Sequence, residues 1–257
     1  MRAFEFPAAI AAYLLVFSFA IGAVFGSFCN AWAWRIVHHE NIAKGRSHCA
    51  VCGHPLGAAD LIPVVSYLML KGKCRYCGEK ISPRYLIVEL ISGLCFVTVL
   101  AANDFSVTTL RLLILSCILL TASLVDIDIM ELPDGLMIAG AVLSLVRFLE
   151  GCTIGSFLLG LIPAAVLLGV VLLMDRIMKK ETMGGGDIKL MAVLGLHFGA
   201  AGALFIIFAA CVIGLCAALV TGKGTGKAFP FGPDLSLAAW LMAVVGTPLI
   251  QAYLSLF

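Results

Sequence analysis

Charge is what this 257-residue sequence has least of: Asp, Glu, Lys and Arg make up only 12% of it, against 62% hydrophobic residues, and mean hydropathy is +1.09. Soluble globular chains carry about twice that share of charge, so a soluble enzyme and a disordered chain are both excluded. Phosphate-binding signatures are missing too. No G-x-G-x-x-G follows a strand, and "TGKGTGK" (221–227) lacks the full G-x-x-x-x-G-K-[ST] pattern and reads as a basic loop. The net charge of +2 gives no reason to expect a nucleic-acid partner. No A-x-A site closes the first apolar run and Arg2 is its one N-terminal base, so that run is expected to stay as a helix rather than leave as a signal peptide.

What is present is a series of apolar runs. Residues 6–34, 151–174 and 235–257 contain no charged side chain, and each supplies the ~20 residues a helix needs to cross a bilayer. Runs 86–102, 107–125 and 136–149 are weaker, and 190–222 is long enough for two crossings. Fourteen of the 17 basic residues fall in three places: between Trp34 and Tyr85, between Asp175 and Lys189, and at Lys223 and Lys227. Cytoplasmic loops concentrate Lys and Arg, so an even number of crossings should separate these places. The expectation is an all-α polytopic membrane protein of about eight transmembrane helices. Turns then fall near Asn103 and Asp104, at 126–134, near Glu150 and within "HFGAAG" (197–202). Arg111 and Arg147 read as side chains snorkelling to an interface, Trp32 and Trp34 as interfacial anchors, and His38 and His39 as solvated.

The loop between the first two spans holds about 50 residues, too few for a substantial core without a staple. "HCAVCG" (48–53) and "KCRYCG" (73–78) supply one. Two C-x-x-C-G knuckles bring Cys49, Cys52, Cys74 and Cys77 into reach of one ion, and four thiolates suit tetrahedral zinc in a structural role. Two disulfides or four free thiols are the competing readings, and in a reducing cytoplasm stable disulfides are rare. The other six cysteines lie in or beside apolar runs and read as packing residues.

Acids gather at span ends. "DIDIMELPD" (126–134) carries Asp126, Asp128, Glu131 and Asp134, and "GGGD" delivers Asp187 to the start of the next long run. Taken alone, Asp134 or Asp187 is equally a helix cap, and Lys189 reads as a surface anchor. A cap does not call for three preceding glycines, however. Gly184, Gly185 and Gly186 remove every Cβ before Asp187 and leave backbone N–H groups for a developing negative charge. Two carboxylates facing each other at the edge of a low-dielectric medium cannot both ionise cheaply, and a pair sharing one proton can activate water against a peptide bond. Glu89, inside the second span, is an acid in costly surroundings that calls for a partner or a site.

The G-x-G-D at Asp187, following "DIDIMELPD", resembles the membrane aspartyl proteases known as the type IV prepilin peptidases of bacteria. "GSFCNAWAWR" (26–35), the paired knuckles with "GKCRYCGEKISPRYLIVELISG" (72–93) and "FPFGP" (229–233) extend the likeness over nearly the whole chain. The resemblance implies a first transmembrane helix at 1–30, a cytoplasmic zinc-binding loop domain at 31–85 and a membrane aspartyl peptidase core at 86–257. It implies Asp126 and Asp187 as the catalytic dyad, with Asp128 and Asp134 in reserve. It further implies cleavage of prepilin and pseudopilin leader peptides after a glycine on the cytoplasmic face of the bacterial inner membrane. Methylation of the new N-terminus by S-adenosylmethionine is also implied, at a site the sequence leaves unassigned. "NAWAWRIVHHE" departs from the family by carrying two tryptophans and two histidines. A transporter, a zinc-bearing scaffold and a G-x-G-D protease for other membrane substrates are the competing readings.

Overall fold

A backbone surrounded by hydrocarbon has no water to hydrogen-bond, so each apolar run must satisfy its own N–H and C=O groups as a helix. The computed structural model, which describes residues 7–41, 45–180, 182–221 and 229–246, is accordingly helical, with only two isolated β-bridges among the described residues. Arg2, Lys44, the loop at Lys223 and Lys227, and 247–257 of the last apolar run lie outside the described residues. The chain divides into two compact units, 1–105 and 106–257.

The first unit is α1 (Ala8–Val37) packed along α3 (Pro83–Asn103), with a loop between them holding α2 (Val65–Met69) and a 3-10 turn at Ala58–Asp60. Burial in α1 is inverted relative to a soluble helix. The buried positions are Ala11, Ser18, Gly22, Ala23, Gly26, Cys29, Asn30 and Ala33, while Tyr13, Val16, Phe17, Val24, Phe25 and Phe28 face outward. Small residues let membrane helices approach backbone to backbone. Gly22 and Gly26, spaced G-x-x-x-G, do this against α3: a Cβ on Gly22 would lie 2.7 Å from the Ser92 carbonyl, and one on Gly26 2.7 Å from Ser92 Cβ.

The second unit contains α4 (Val107–Ile129), α5 (Asp134–Ser144, continued by a 3-10 turn to Phe148), α6 (Ile154–Leu159), α7 (Ile162–Met178), α8 (Gly185–Thr221) and α9 (Gly232–Leu241, continued by a π-helical turn to Gly246). Straight, the 37 residues of α8 would span about 55 Å, nearly twice the hydrocarbon thickness. Instead the helix breaks at Gly199, whose φ of 73° and ψ of 179° are non-helical. Ala203 Cβ sits 3.7 Å from where a Gly195 Cβ would be, whereas eight residues of straight helix separate their ends by about 12 Å. α8 is therefore two limbs reversing at the expected "HFGAAG" turn. Five helical stretches, α1, α3, α4, α6–α7 and α8, are long and apolar enough to cross a membrane. Counted as two limbs, α8 makes these six among the described residues, and Gly232–Gly246 is a shorter apolar helix beside them.

Two expectations are corrected. Arg111 does not snorkel: it is 5% exposed and its guanidinium donates to Glu150 at 2.7 and 3.1 Å and to His197 Nδ1 at 2.8 Å. Arginine only donates, so Nδ1 accepts and Nε2–H donates to the Gly140 carbonyl at 2.9 Å. A buried cation needs this partnering, and it ties α4, α5 and the α8 bend together. Arg147 completes the bend by donating to the Leu196 carbonyl at 2.7 Å. Asp134 is not the N-cap of α5: extended Pro133 occupies that position, and the Asp134 carboxylate receives Lys189 Nζ at 2.6 Å. Lys189 thus points to Asp134 rather than to Asp187.

Candidate active site

α4 ends three residues after Asp126. The Asp126 carbonyl accepts the N–H of Met130, which takes a left-handed conformation (φ 56°, ψ 34°) and turns the chain out of the helix. The Asp126 side chain is only 4% exposed, and its Oδ2 accepts the Gly232 N–H at 2.9 Å. Gly232 is the first residue of α9, and Pro233 beside it has no N–H to offer. The positive end of α9 is thus directed at Asp126 through one donor. A Cβ on Gly232 would lie 2.7 Å from Asp126 Oδ2, so the position admits no side chain without displacing the carboxylate.

Asp187 is the third residue of α8 and half-buried, and its N–H donates to the Gly184 carbonyl at 3.2 Å. None of the three preceding glycines has a positive φ, so chain reversal is not their purpose. Gly186 lets Leu132 of the acidic turn come within 3.0 Å of its Cβ position, while the space around Gly185 is open. The acidic turn is therefore seated on the α8 N-terminus. Asp126 and Asp187 come within Coulombic reach of one another. Asp128, Glu131 and Asp134 are exposed. A third acid, Asp234, lies in the first turn of α9 and within Coulombic reach of Asp126. Sequence reasoning passes over it, because an acid in the first turn of a helix needs no special explanation.

In the first unit the four knuckle thiols converge: the sulfurs of Cys49, Cys52, Cys74 and Cys77 lie within 4.8 Å of one another, with Cys49 and Cys77 at 3.9 Å. Tetrahedral zinc with a Zn–S bond of about 2.3 Å places its sulfurs about 3.8 Å apart. The knuckles close by Gly53 N–H to Cys49 O at 2.8 Å and Gly78 N–H to Cys74 O at 3.0 Å, both glycines having positive φ (69° and 74°). Hydrogen bonds from the backbone of Cys52 and Val51 pull the Cys49 thiol down to about 6, toward the thiolate a metal requires. No disulfide links the ten cysteines. The donor set fits zinc. His48 and His54 are exposed and outside the cluster.

Beside the knuckles is a cavity of about 450 Å³ whose walls include Trp34, Arg46, Asp60, Tyr67, Tyr85 and Glu89. Glu89, 7% exposed, finds its partner here: Oε2 accepts the Val64 N–H at 2.7 Å. Val64 has φ 62°, a conformation that strains a β-branched residue by about 1–3 kcal/mol, and the buried carboxylate holds it. Asp60 receives Arg75 at 2.6 Å and Tyr76 at 3.1 Å. The Arg75 hydrogen bond keeps the Asp60 carboxyl below the usual carboxylate range, and the bond to Asp60 pushes the Tyr76 phenol up.

Residues 20–103 match the model of the bacterial peptidase A24 N-terminal domain, and residues 113–219 match that of the type IV leader peptidase family. Among curated relatives, the prepilin leader peptidase/N-methyltransferase of Dichelobacter nodosus is 34% identical over 86% of this chain and 83% of its own length. The chain belongs to the type IV leader peptidase family. The relative of the same printed name in Neisseria gonorrhoeae is 36% identical over 79% of this chain and 72% of its own, and that of Pseudomonas putida 30% identical over 100% and 99%. No solved structure matches the chain. The family's N-terminal match ends two residues before the first compact unit does, and its peptidase match contains both Asp126 and Asp187. Gly232 and Asp234 lie beyond it.

Proposed function

We propose that this leader peptidase is an aspartyl endopeptidase of the bacterial inner membrane. It removes the leader of a type IV prepilin or pseudopilin after a glycine at the cytoplasmic face, then N-methylates the new terminus. The observation that carries the peptidase reading is the convergence of Asp126 and Asp187, 61 residues apart, at the joined ends of α4, α8 and α9. The printed names of the relatives support both activities.

Asp126 and Asp187 share a proton. The ionised carboxylate takes a proton from water, whose oxygen bonds to the scissile carbonyl carbon. The protonated partner donates to the carbonyl oxygen as its charge develops. Collapse restores the C=O, breaks the C–N bond and sends a proton to the leaving amine. The open space at Gly185 gives the substrate backbone room beside Asp187.

The methyl donor is S-adenosylmethionine, and its site is the cavity of the first unit. The walls fit it: aromatic faces at Trp34 and Tyr67 suit an adenine ring or a sulfonium, and the fixed carboxylate of Glu89 suits a cation or hydroxyls. When bound it supplies an electrophilic methyl group to the freed amine. Cys49, Cys52, Cys74 and Cys77 would hold zinc, whose ligation energy folds a loop too short to fold alone. A prepilin incubated with the protein in lipid vesicles and S-adenosylmethionine should lose its leader and gain one methyl group, as read by mass spectrometry. An intact substrate would overturn the reading.

A further inference from the structure

Asp234 is the acid that the dyad mechanism leaves unused. It is 6% exposed, and its Oδ2 has no hydrogen-bond partner among the described residues. A carboxylate in the first turn of a helix ordinarily caps a free N–H or faces water; this one does neither on that oxygen. Its surroundings belong to the dyad. Gly232, two residues earlier, donates to Asp126, and α8 brings Gly214 so close that a Cβ there would be 2.9 Å from Asp234 Oδ2. Because α8 reverses at Gly199, Gly214 returns to nearly the level of Asp187: 12 residues out and 15 back differ by about 5 Å along the helix axis. A missing Cβ on one limb of α8 makes room for Asp234 at the end where the other limb starts with Asp187.

The titratable groups on the helices packed against α9 are Asp126, Asp128, Arg111 and the thiol of Cys117 on α4, and Asp187, Lys189, His197 and the thiols of Cys211 and Cys216 on α8. Lys189 is taken by Asp134, and Arg111 by Glu150 and His197. Among the described residues Asp234 has no ion pair with any of these cations, and the group within its Coulombic reach is Asp126.

We infer that Asp234 is a third carboxyl group of the catalytic centre, a positioning residue whose negative charge opposes a second charge on the Asp126–Asp187 pair and so keeps one proton there at neutral pH. The inference rests on the peptidase reading. Dyads of unaided aspartates work in acid, whereas a cytoplasmic peptidase must retain its shared proton near pH 7. Three carboxyls held this close cannot all ionise cheaply, so a proton is retained among them without Asp234 touching the substrate.

The test is the pH profile of kcat/KM for leader cleavage by the wild type, D234N, D234E and D126N, each in lipid vesicles. Removing the charge in D234N should let the pair lose its shared proton earlier, moving the alkaline limb down by about one pH unit, the size of a like-charge interaction across about 10 Å at an effective dielectric of about 20. The ratio of cleavage at pH 8 to that at pH 6 then falls about tenfold, and D234E, which keeps the charge, restores it. Should D234N fail to fold, D234S carries the same expectation. An unshifted profile, or a loss equal at every pH, overturns the inference. Cleavage by D126N would instead overturn the peptidase reading itself.

Discussion

At the scale of single residues, Asp126 depends on a glycine 106 positions away. Its Oδ2 rests on the Gly232 N–H, and a Cβ would intrude to 2.7 Å. Gly232→Ala therefore carries two effects of the same sign. Its Cβ crowds the buried Asp126 carboxylate and Leu132, so the protein should lose about 1–3 kcal/mol of stability and melt earlier, and a displaced carboxylate should lower kcat/KM for cleavage by about 100-fold. Parallel calorimetry and kinetics check this; a variant that melts as the wild type does and cleaves normally would contradict it. Acids at span ends need a reason, which made the acidic turn and Asp187 conspicuous in the sequence; the choice of Asp126 within that turn came from the family resemblance. Gly232 and Asp234 were not, since Gly-Pro followed by Asp is an ordinary way to begin a helix. Arg111 was misread because an arginine near a span end has a cheap exit to the interface, and only the fold brings Glu150 and His197 to it.

At the scale of elements, α3 serves two structures. One face receives the glycines of α1, and Glu89 on the same helix clamps the strained Val64 at the start of α2. Replacing the carboxylate by an amide weakens a charge-assisted bond by about 1.4 kcal/mol. E89Q should accordingly yield about tenfold less methylated product while leader cleavage stays within about twofold of wild type. Mass spectrometry of the products reads both at once. Equal loss of the two activities, or undiminished methylation, would contradict the assignment of the cavity. The α8 reversal was legible because 33 apolar residues exceed one crossing and Gly199 sits mid-run. The cavity was not, because its walls come from α1, the knuckle loop and α3, each contributing residues of unremarkable type.

At the scale of the whole molecule, hydropathy alone dictates helices, and the few charges then carry nearly all of the specificity. The long apolar helices and the four-cysteine cluster were readable because each has a strict requirement, hydrocarbon thickness for one and ligand geometry for the other. What the sequence withheld is side-chain convergence between segments far apart in the chain. The account turns on one such convergence, that of Asp126 and Asp187. The most direct measurement is single-turnover cleavage of a prepilin by the wild type, D126N and D187N in lipid vesicles, with bound zinc and helical circular dichroism as checks on folding. Both variants should retain zinc and helicity and lose cleavage by at least about 1,000-fold, each as severely as the double variant, because a shared proton fails with either partner. Cleavage at the wild-type rate by either folded variant would contradict the account.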